Sequence, residues 1–240
     1  HFDWWKVVGA RHRQAVRYEV LMISRALAGA GVAVTLLKGA AYAMADLPPA
    51  RGRLFSDIDI MVPKARLGQV EAALMLAGWA GTKNDPYDQR YYRDWMHELP
   101  PMQHLARGTL IDVHHAILPE TAAVRPDPQA LMKAAVALEG DAPGGLQVLA
   151  PADMVLHSAV HLIYGEFEHG VRDLVDLHRL LAHFGADPAF WPRLAARAGE
   201  LGLGRPLFYV MRYCVLLLGT PVPAQALQAS AADAPGRALL

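Results

Sequence analysis

"LLKGAAYAMADLPPARGRLFSDIDIMV", residues 36–62, carries a Lys-Gly pair near one end and two aspartates around a single isoleucine near the other. Side chains alternate along a strand, so Asp57 and Asp59 point to one face while Ile58 and Ile60 point to the other. The isoleucine face reads as core. Two like charges held side by side on the opposite face are costly unless a cation or a hydrogen-bond network compensates them. Upstream, Val32–Leu37 is an aliphatic, β-branched run that predicts a second strand, and Ala40–Ala45 suits a short helix. Residues 47–53 hold Pro48, Pro49 and Gly52 and form a loop.

A matching pattern lies further along. In "TLIDVHH", residues 109–115, Asp112 stands between Ile111 and Val113, again an acid between two apolar residues. Two carboxylates on one strand and a third from a neighbour make a donor set for hard divalent cations such as Mg²⁺ or Mn²⁺, which take oxygen ligands. Lys38-Gly39, at the end of a strand and before a helix, suits a phosphate. Glycine lets the backbone approach closely, the helix start adds N–H donors and lysine adds charge. Plainer alternatives exist. Asp57 and Asp59 could be a solvated strand face or cap the helix near Lys64, and Lys38 could be a surface lysine paired with one of the aspartates.

The remaining chain predicts a helix over residues 4–28 and another over 67–77, capped by Gly78. Met96–Leu105 and Thr109–Val113 predict a hairpin turning at Arg107-Gly108. A helix is expected over Gln129–Leu138, then helices over Ala152–Tyr164, Val171–His183, Pro188–Gly199 and Arg205–Leu218, with a frayed end after Pro221. The architecture is therefore an α/β segment up to about residue 118, followed by a mostly helical segment. The expected division is an N-terminal helix (1–31), an α/β core (32–118) and a mostly helical domain (119–240).

Composition narrows the function classes. With 53% hydrophobic and 19% charged residues the chain is globular rather than disordered. Its 23 basic and 23 acidic residues cancel, so no global field draws it to nucleic acid or to a membrane surface. One cysteine, Cys214, excludes an internal disulfide and a cysteine-based zinc cluster and favours a reducing compartment. No apolar run is long enough to span a bilayer, and "HFDWWKVV" lacks a signal-peptide pattern, so the expectation is a cytoplasmic protein with a trimmed start.

Taken in order, "LLKGAAYAM", "RLFSDIDIMV" and "LIDVHH" resemble the uncharacterised bacterial nucleotidyltransferase-like family, a branch of the DNA-polymerase-β-like superfamily. The resemblance continues through "LAPADMVLHSAVHLIY", "VRDLVDLHRLLAH" and "FWPRLAARAGELGL", covering roughly residues 15 to 220. It implies an α+β fold with a small mixed sheet flanked by helices and a helical C-terminal segment, a glycine-containing turn that holds a nucleotide triphosphate, and a catalytic acidic triad of Asp57, Asp59 and Asp112 that binds two divalent metals. Arg53, four residues before Asp57, matches the arginine this family places before its Asp-x-Asp. Lys38, Gly39, Arg53 and Ser56 are thus the candidate nucleotide- and phosphate-binding residues. The implied reaction moves a nucleoside monophosphate from an NTP, such as ATP, to an acceptor hydroxyl and releases pyrophosphate. The balanced charge favours a small molecule, peptide or protein as acceptor over a nucleic acid.

The turn departs from the wider superfamily, which has Gly-Gly or Gly-Ser where this chain has Lys38-Gly39-Ala40, with a shorter gap to the Asp-x-Asp. A non-catalytic relative that binds nucleotide or a partner is therefore one alternative. Another is a metal-dependent phosphohydrolase built from His114, His115, His157, His161 and the aspartates. His157 and His161 are four apart on a predicted helix, and Asp173 and Asp176 lie on the next. Mutual polar packing between these helices is the simpler expectation, with His114, His161 and Asp173 kept as possible pocket residues. Trp4, Trp5, Trp79, Trp95 and Trp191 are dispersed and expected in the core, and Arg11, His12, Arg13 and Arg17 on a solvated helix face.

Overall fold

The structure is a computed structural model that describes residues 2–139, 145–165, 167 and 169–234. It divides into two units, one of His1–Ala123 with Asp127–Ala150, the other of Val124–Pro126 with Pro151–Leu240.

The first unit holds α1 (Phe2–Ala28), β1 (Val34–Leu36), α2 (Lys38–Met44), β2 (Asp57–Met61), α3 (Leu67–Leu76), β3 (Trp79–Gly81), α4 (Pro86–Asp94), β4 (Met102–His104), β5 (Leu110–His114), α5 (Pro128–Ala134), β6 (Val136–Ala137) and β7 (Leu146–Val148). Its strands make one mixed sheet in the order β3-β4-β5-β2-β1-β7-β6. β2 runs parallel to β5 and antiparallel to β1, placing the two acid-bearing strands side by side. The apolar alternation is what seats them, because Ile58, Ile60, Ile111 and Val113 are all buried. Helix α1 turns Val16, Val20, Ile23 and Leu27 inward at 3–4-residue spacing. It packs on α2, whose Gly39, Ala40, Ala41 and Ala43 are small enough for close helix–helix and helix–strand approach.

The second unit holds α6 (Pro151–Tyr164), α7 (Gly170–Phe184), α8 (Phe190–Glu200), α9 (Gly204–Leu218) and α10 (Ala224–Ser230). Leu156, Ala159, Val160, Leu177, Leu180, Leu181, Leu207, Val210 and Met211 form its core. Buried Asp153 ties α6 to α8 through a two-bond ion pair with Arg197, at 2.6 Å to Nε and 3.0 Å to Nη2.

The predicted α+β fold with a mixed sheet and a helical second half is what the structure has, although several local expectations give way. The helix expected to Leu138 stops at Ala134, because Val136–Ala137 pairs with β7 and the Leu138 N–H donates to the Leu146 carbonyl. The expected strand over Met96–Leu105 survives only at Met102–His104, interrupted by Pro100 and Pro101, which lack ladder donors. The chain after Pro221 is not frayed as far as residue 234. It forms α10, and the Asp233 carboxylate lies where a Cβ on Gly204 would be, at the start of α9, which favours negative charge. Residues 235–240 of that expected tail lie outside the described residues. Trp79 and Trp191 are core, but Trp4, Trp5 and Trp95 are exposed. Helix α4 had a signal that hydropathy alone hides, an Asp85 cap that accepts from the Tyr87 N–H with Pro86 at the first helical position.

Candidate functional site

Parallel pairing sets Asp59 directly opposite Asp112, so their side chains leave the sheet on the same face, and Asp57 follows two residues earlier on that face. Asp59 is buried, whereas Asp57 and Asp112 are half-buried. One cation reaches the group. Lys38, which opens α2 with φ 40°, places Nζ 3.1 Å from Asp59 Oδ1. The sequence alternative that paired Lys38 with an aspartate is therefore realised, with the lysine largely buried rather than on the surface.

His114 Nε2 lies 3.0 Å from the same Asp59 oxygen. Burial by itself would raise the Asp59 carboxyl, but the Lys38 charge and the His114 hydrogen bond overcome it and hold the group far below the usual carboxylate range. The Lys38 ammonium is correspondingly raised against its own burial, by Asp59 first. Asp112 has the opposite fate. Burial and then the negative charges of Asp59 and Glu98 push it up to about 7.

Segment 97–99 lies alongside β5. Glu98 bridges His114 in antiparallel pairing, the His115 N–H donates to the His97 carbonyl at 2.8 Å, and the Leu99 N–H donates to the Val113 carbonyl at 2.9 Å. Glu98 Oε2 sits 3.1 Å from His114 Nδ1, near enough for an ion pair but without hydrogen-bond alignment. The His97 ring packs at 5.3 Å from that of His114, and burial, the neighbouring His114 and Lys38 push its pKa down to about 3. The donor atoms of His97, Glu98 and His114 all lie within 4.8 Å of one another, the one group of three metal donors so drawn together among the described residues. The sequence reading passed over His97 and Glu98. Their only local signal was a His-Glu pair ahead of Pro100-Pro101, and their position depends on the long-range pairing to β5.

Gly39 meets a side chain of this same unit. A Cβ on it would lie 2.2 Å from Phe55 Cδ1, so glycine is required here by the Phe55 ring. His12 anchors that ring from α1, stacking on it at 5.6 Å and accepting from the Phe55 N–H at 2.7 Å. Arg53 lies over the rings of Tyr42 and Phe55, at 5.6 and 5.3 Å. The Ser56 hydroxyl donates to Asp57 at 3.1 Å. The basic stretch expected to be solvated is thus partly structural, since Arg17 also donates to the Ala43 carbonyl that ends α2.

His161 and Asp173 belong to the second unit. They pair with each other at 3.0 Å, and Asp173 also accepts from Arg172, so its carboxyl is lowered although burial opposes this. A cavity of about 680 Å³ in this unit is lined by Leu162, Phe167, Val171, Leu174, Tyr213 and Leu217, with His169 and Arg172, while His161 and Asp173 do not line it.

No sequence of curated function is significantly similar to this chain. Solved structures that share its fold include two of the antibiotic-resistance factor ANT(2'')-Ia. The solution structure is 14% identical with a TM-score of 0.51, covering 87% of this chain and 97% of that one. The crystal structure in complex with adenylyl-2''-tobramycin is also 14% identical with a TM-score of 0.51, covering 78% and 98%. The model of the uncharacterised nucleotidyltransferase family matches residues 7–219, and this span takes in both acid-bearing strands and the helices behind Asp153 and Arg197. The chain belongs to the uncharacterised nucleotidyltransferase family and is a transferase of that kind.

Proposed function

We propose that the protein transfers a nucleoside monophosphate from an NTP, with ATP the first choice, to the hydroxyl of a small-molecule, peptide or protein acceptor, with release of pyrophosphate. The observation that carries this reading is the in-register placement of Asp59 and Asp112 on parallel neighbouring strands, with Asp57 on the same face. Three carboxylates with one lysine between them are an oxygen donor set with excess negative charge, which fits Mg²⁺ or Mn²⁺. Asp57, Asp59 and Asp112 would hold such ions, which when bound supply charge neutralisation to the triphosphate and acidify the attacking hydroxyl.

The protein's own residues do the positioning. Lys38, held at the start of α2, is placed to exchange Asp59 for a phosphate oxygen. The Gly39 amide and the Ser56 hydroxyl offer neutral donors, and Arg53 braces the loop through two aromatic rings. Asp112, whose carboxyl is pushed up to about 7, is the residue to accept the acceptor's proton. That the adenylylated product in a structure of the same fold is an aminoglycoside supports a small hydroxyl-bearing acceptor. A reducing, nucleotide-rich cytoplasm suits the single cysteine, which is buried, and no helix among the described residues is long and apolar enough to cross a membrane.

Incubation with α-labelled and γ-labelled ATP in parallel, against cell extract and Mg²⁺, tests the reaction. Label transferred from the α position alone is expected, with Asp59→Asn reducing transfer at least about 100- to 1,000-fold, the scale of removing one preorganised electrostatic group. Transfer from the γ position alone, or full activity in Asp59→Asn, overturns it.

A further inference from the structure

His114 faces a carboxylate with each ring nitrogen: Asp59 at 3.0 Å from Nε2 and Glu98 at 3.1 Å from Nδ1. A neutral imidazole has one N–H and one lone pair, so in either tautomer one nitrogen presents a lone pair to a carboxylate. Asp59 takes Nε2, and Nδ1 is buried without an aligned hydrogen-bond partner. A second orphan lies beside it, because His97 Nδ1 is also buried without a partner. One donor atom from each of His97, Glu98 and His114 lies within 4.8 Å of the other two, and His114 is only 3% exposed. Each unmade bond of this kind costs about 1–3 kcal/mol, so a native arrangement that keeps two together calls for a ligand.

We propose that His97, Glu98 and His114 bind one borderline transition-metal ion of the Zn²⁺ class, separate from the carboxylate set of β2 and β5. Two nitrogens and one oxygen are the donor chemistry of such ions and not of Mg²⁺. The donors lie within 4.8 Å of one another, and Zn–N bonds of about 2.0–2.1 Å would draw them to roughly 3.3 Å apart. The backbone is already in place, since pairing with β5 holds Glu98 opposite His114. Asp59 then acts from behind, accepting the Nε2–H of His114 and fixing which nitrogen faces the ion. Through that bond the ion would set the orientation of an aspartate assigned above to nucleotidyl transfer, although the site itself stands or falls independently of that reaction.

The test uses the full chain stripped of metal, with Co²⁺ titrated by visible absorption and Zn²⁺ by calorimetry. One equivalent of Co²⁺ should give the ligand-field bands of a nitrogen-containing site, and Zn²⁺ should displace it while excess Mg²⁺ does not. Glu98→Gln, which keeps the side-chain shape, and His97→Gln should each weaken binding at least about 10- to 100-fold, as loss of even an outer-shell partner does. Asp57→Asn should leave it unchanged, and thermal unfolding of each variant shows that it folds. Binding that survives both His97→Gln and Glu98→Gln, or that disappears with Asp57→Asn, overturns the proposal. So does a ¹⁵N NMR spectrum in which His114 carries protons on both nitrogens at neutral pH and does not respond to Zn²⁺. Zn²⁺ binding without α-label transfer would retain this site and refute the transfer reading, and the converse pattern would do the reverse.

Discussion

Asp153 in the helical unit and Asp59 in the sheet unit are both buried aspartates held by a basic side chain, yet their surroundings differ in kind. Asp153 gives each of its two oxygens to one nitrogen of Arg197, a planar fork that satisfies the carboxylate completely. Asp59 receives Lys38 and His114 on a single oxygen, and beside it stand Asp57, Asp112 and Glu98 with no further lysine or arginine in hydrogen-bond contact among the described contacts. A balanced pair needs nothing more and ties two helices together. The unbalanced cluster is charged in excess of its partners and is built to receive a cation or a ligand.

Breaking the balanced pair should have the largest effect on stability. Asp153→Ala takes away the bidentate partner of Arg197, which keeps Glu200, and should cost about 3 kcal/mol, the upper end for hydrogen bonds to charged groups. Chemical denaturation at pH 7 would read this loss, and no change would mean that the pair contributes only geometry.

Gly39 sharpens the comparison on the unbalanced side. Gly39→Ala drives a Cβ into the Phe55 ring and should destabilise by about 1–3 kcal/mol, the range of an overpacked site. Phe55→Ala removes the obstacle, so the double variant should recover most of that loss relative to Phe55→Ala alone. Additive costs in the double-mutant cycle would show that the strain lies in the Lys38-Gly39 backbone instead.

The smallest effect has the opposite sign. Asp112 titrates near 7 in the folded protein against an ordinary value of 3.8, so folding favours its protonated form. That advantage is full below the ordinary aspartate value and is lost as pH rises towards the folded value, leaving the ionised carboxylate as a penalty above it. Asp112→Asn should therefore raise the melting temperature of metal-free protein at pH 8, by about 2–4 °C for each kcal/mol relieved, and change it little at pH 4. A drop at pH 8 would mean that Asp112 is compensated in the metal-free state.

The acid-bearing strands were legible because strand alternation is local: Ile58, Ile60, Ile111 and Val113 declare one face as core and leave Asp57, Asp59 and Asp112 on the other. The helices of the second unit were legible for the same reason, through apolar spacing near 3.6 residues. Short strands towards the sheet's end such as Val136–Ala137 and Leu146–Val148 were not, since two or three residues carry no period and take their conformation from pairing partners.

The chain's own order of residues thus determined an α+β fold, the two acid-bearing strands and the Lys38-Gly39 turn, because periodicity and turn chemistry act between near neighbours. Tertiary structure alone decided which groups meet. It set Asp59 beside Asp112, gave Lys38 to Asp59, laid Phe55 against Gly39 under the hold of His12, and brought His97 and Glu98 onto His114. These meetings join residues tens of positions apart through sheet register and helix packing, and no local pattern encodes a register.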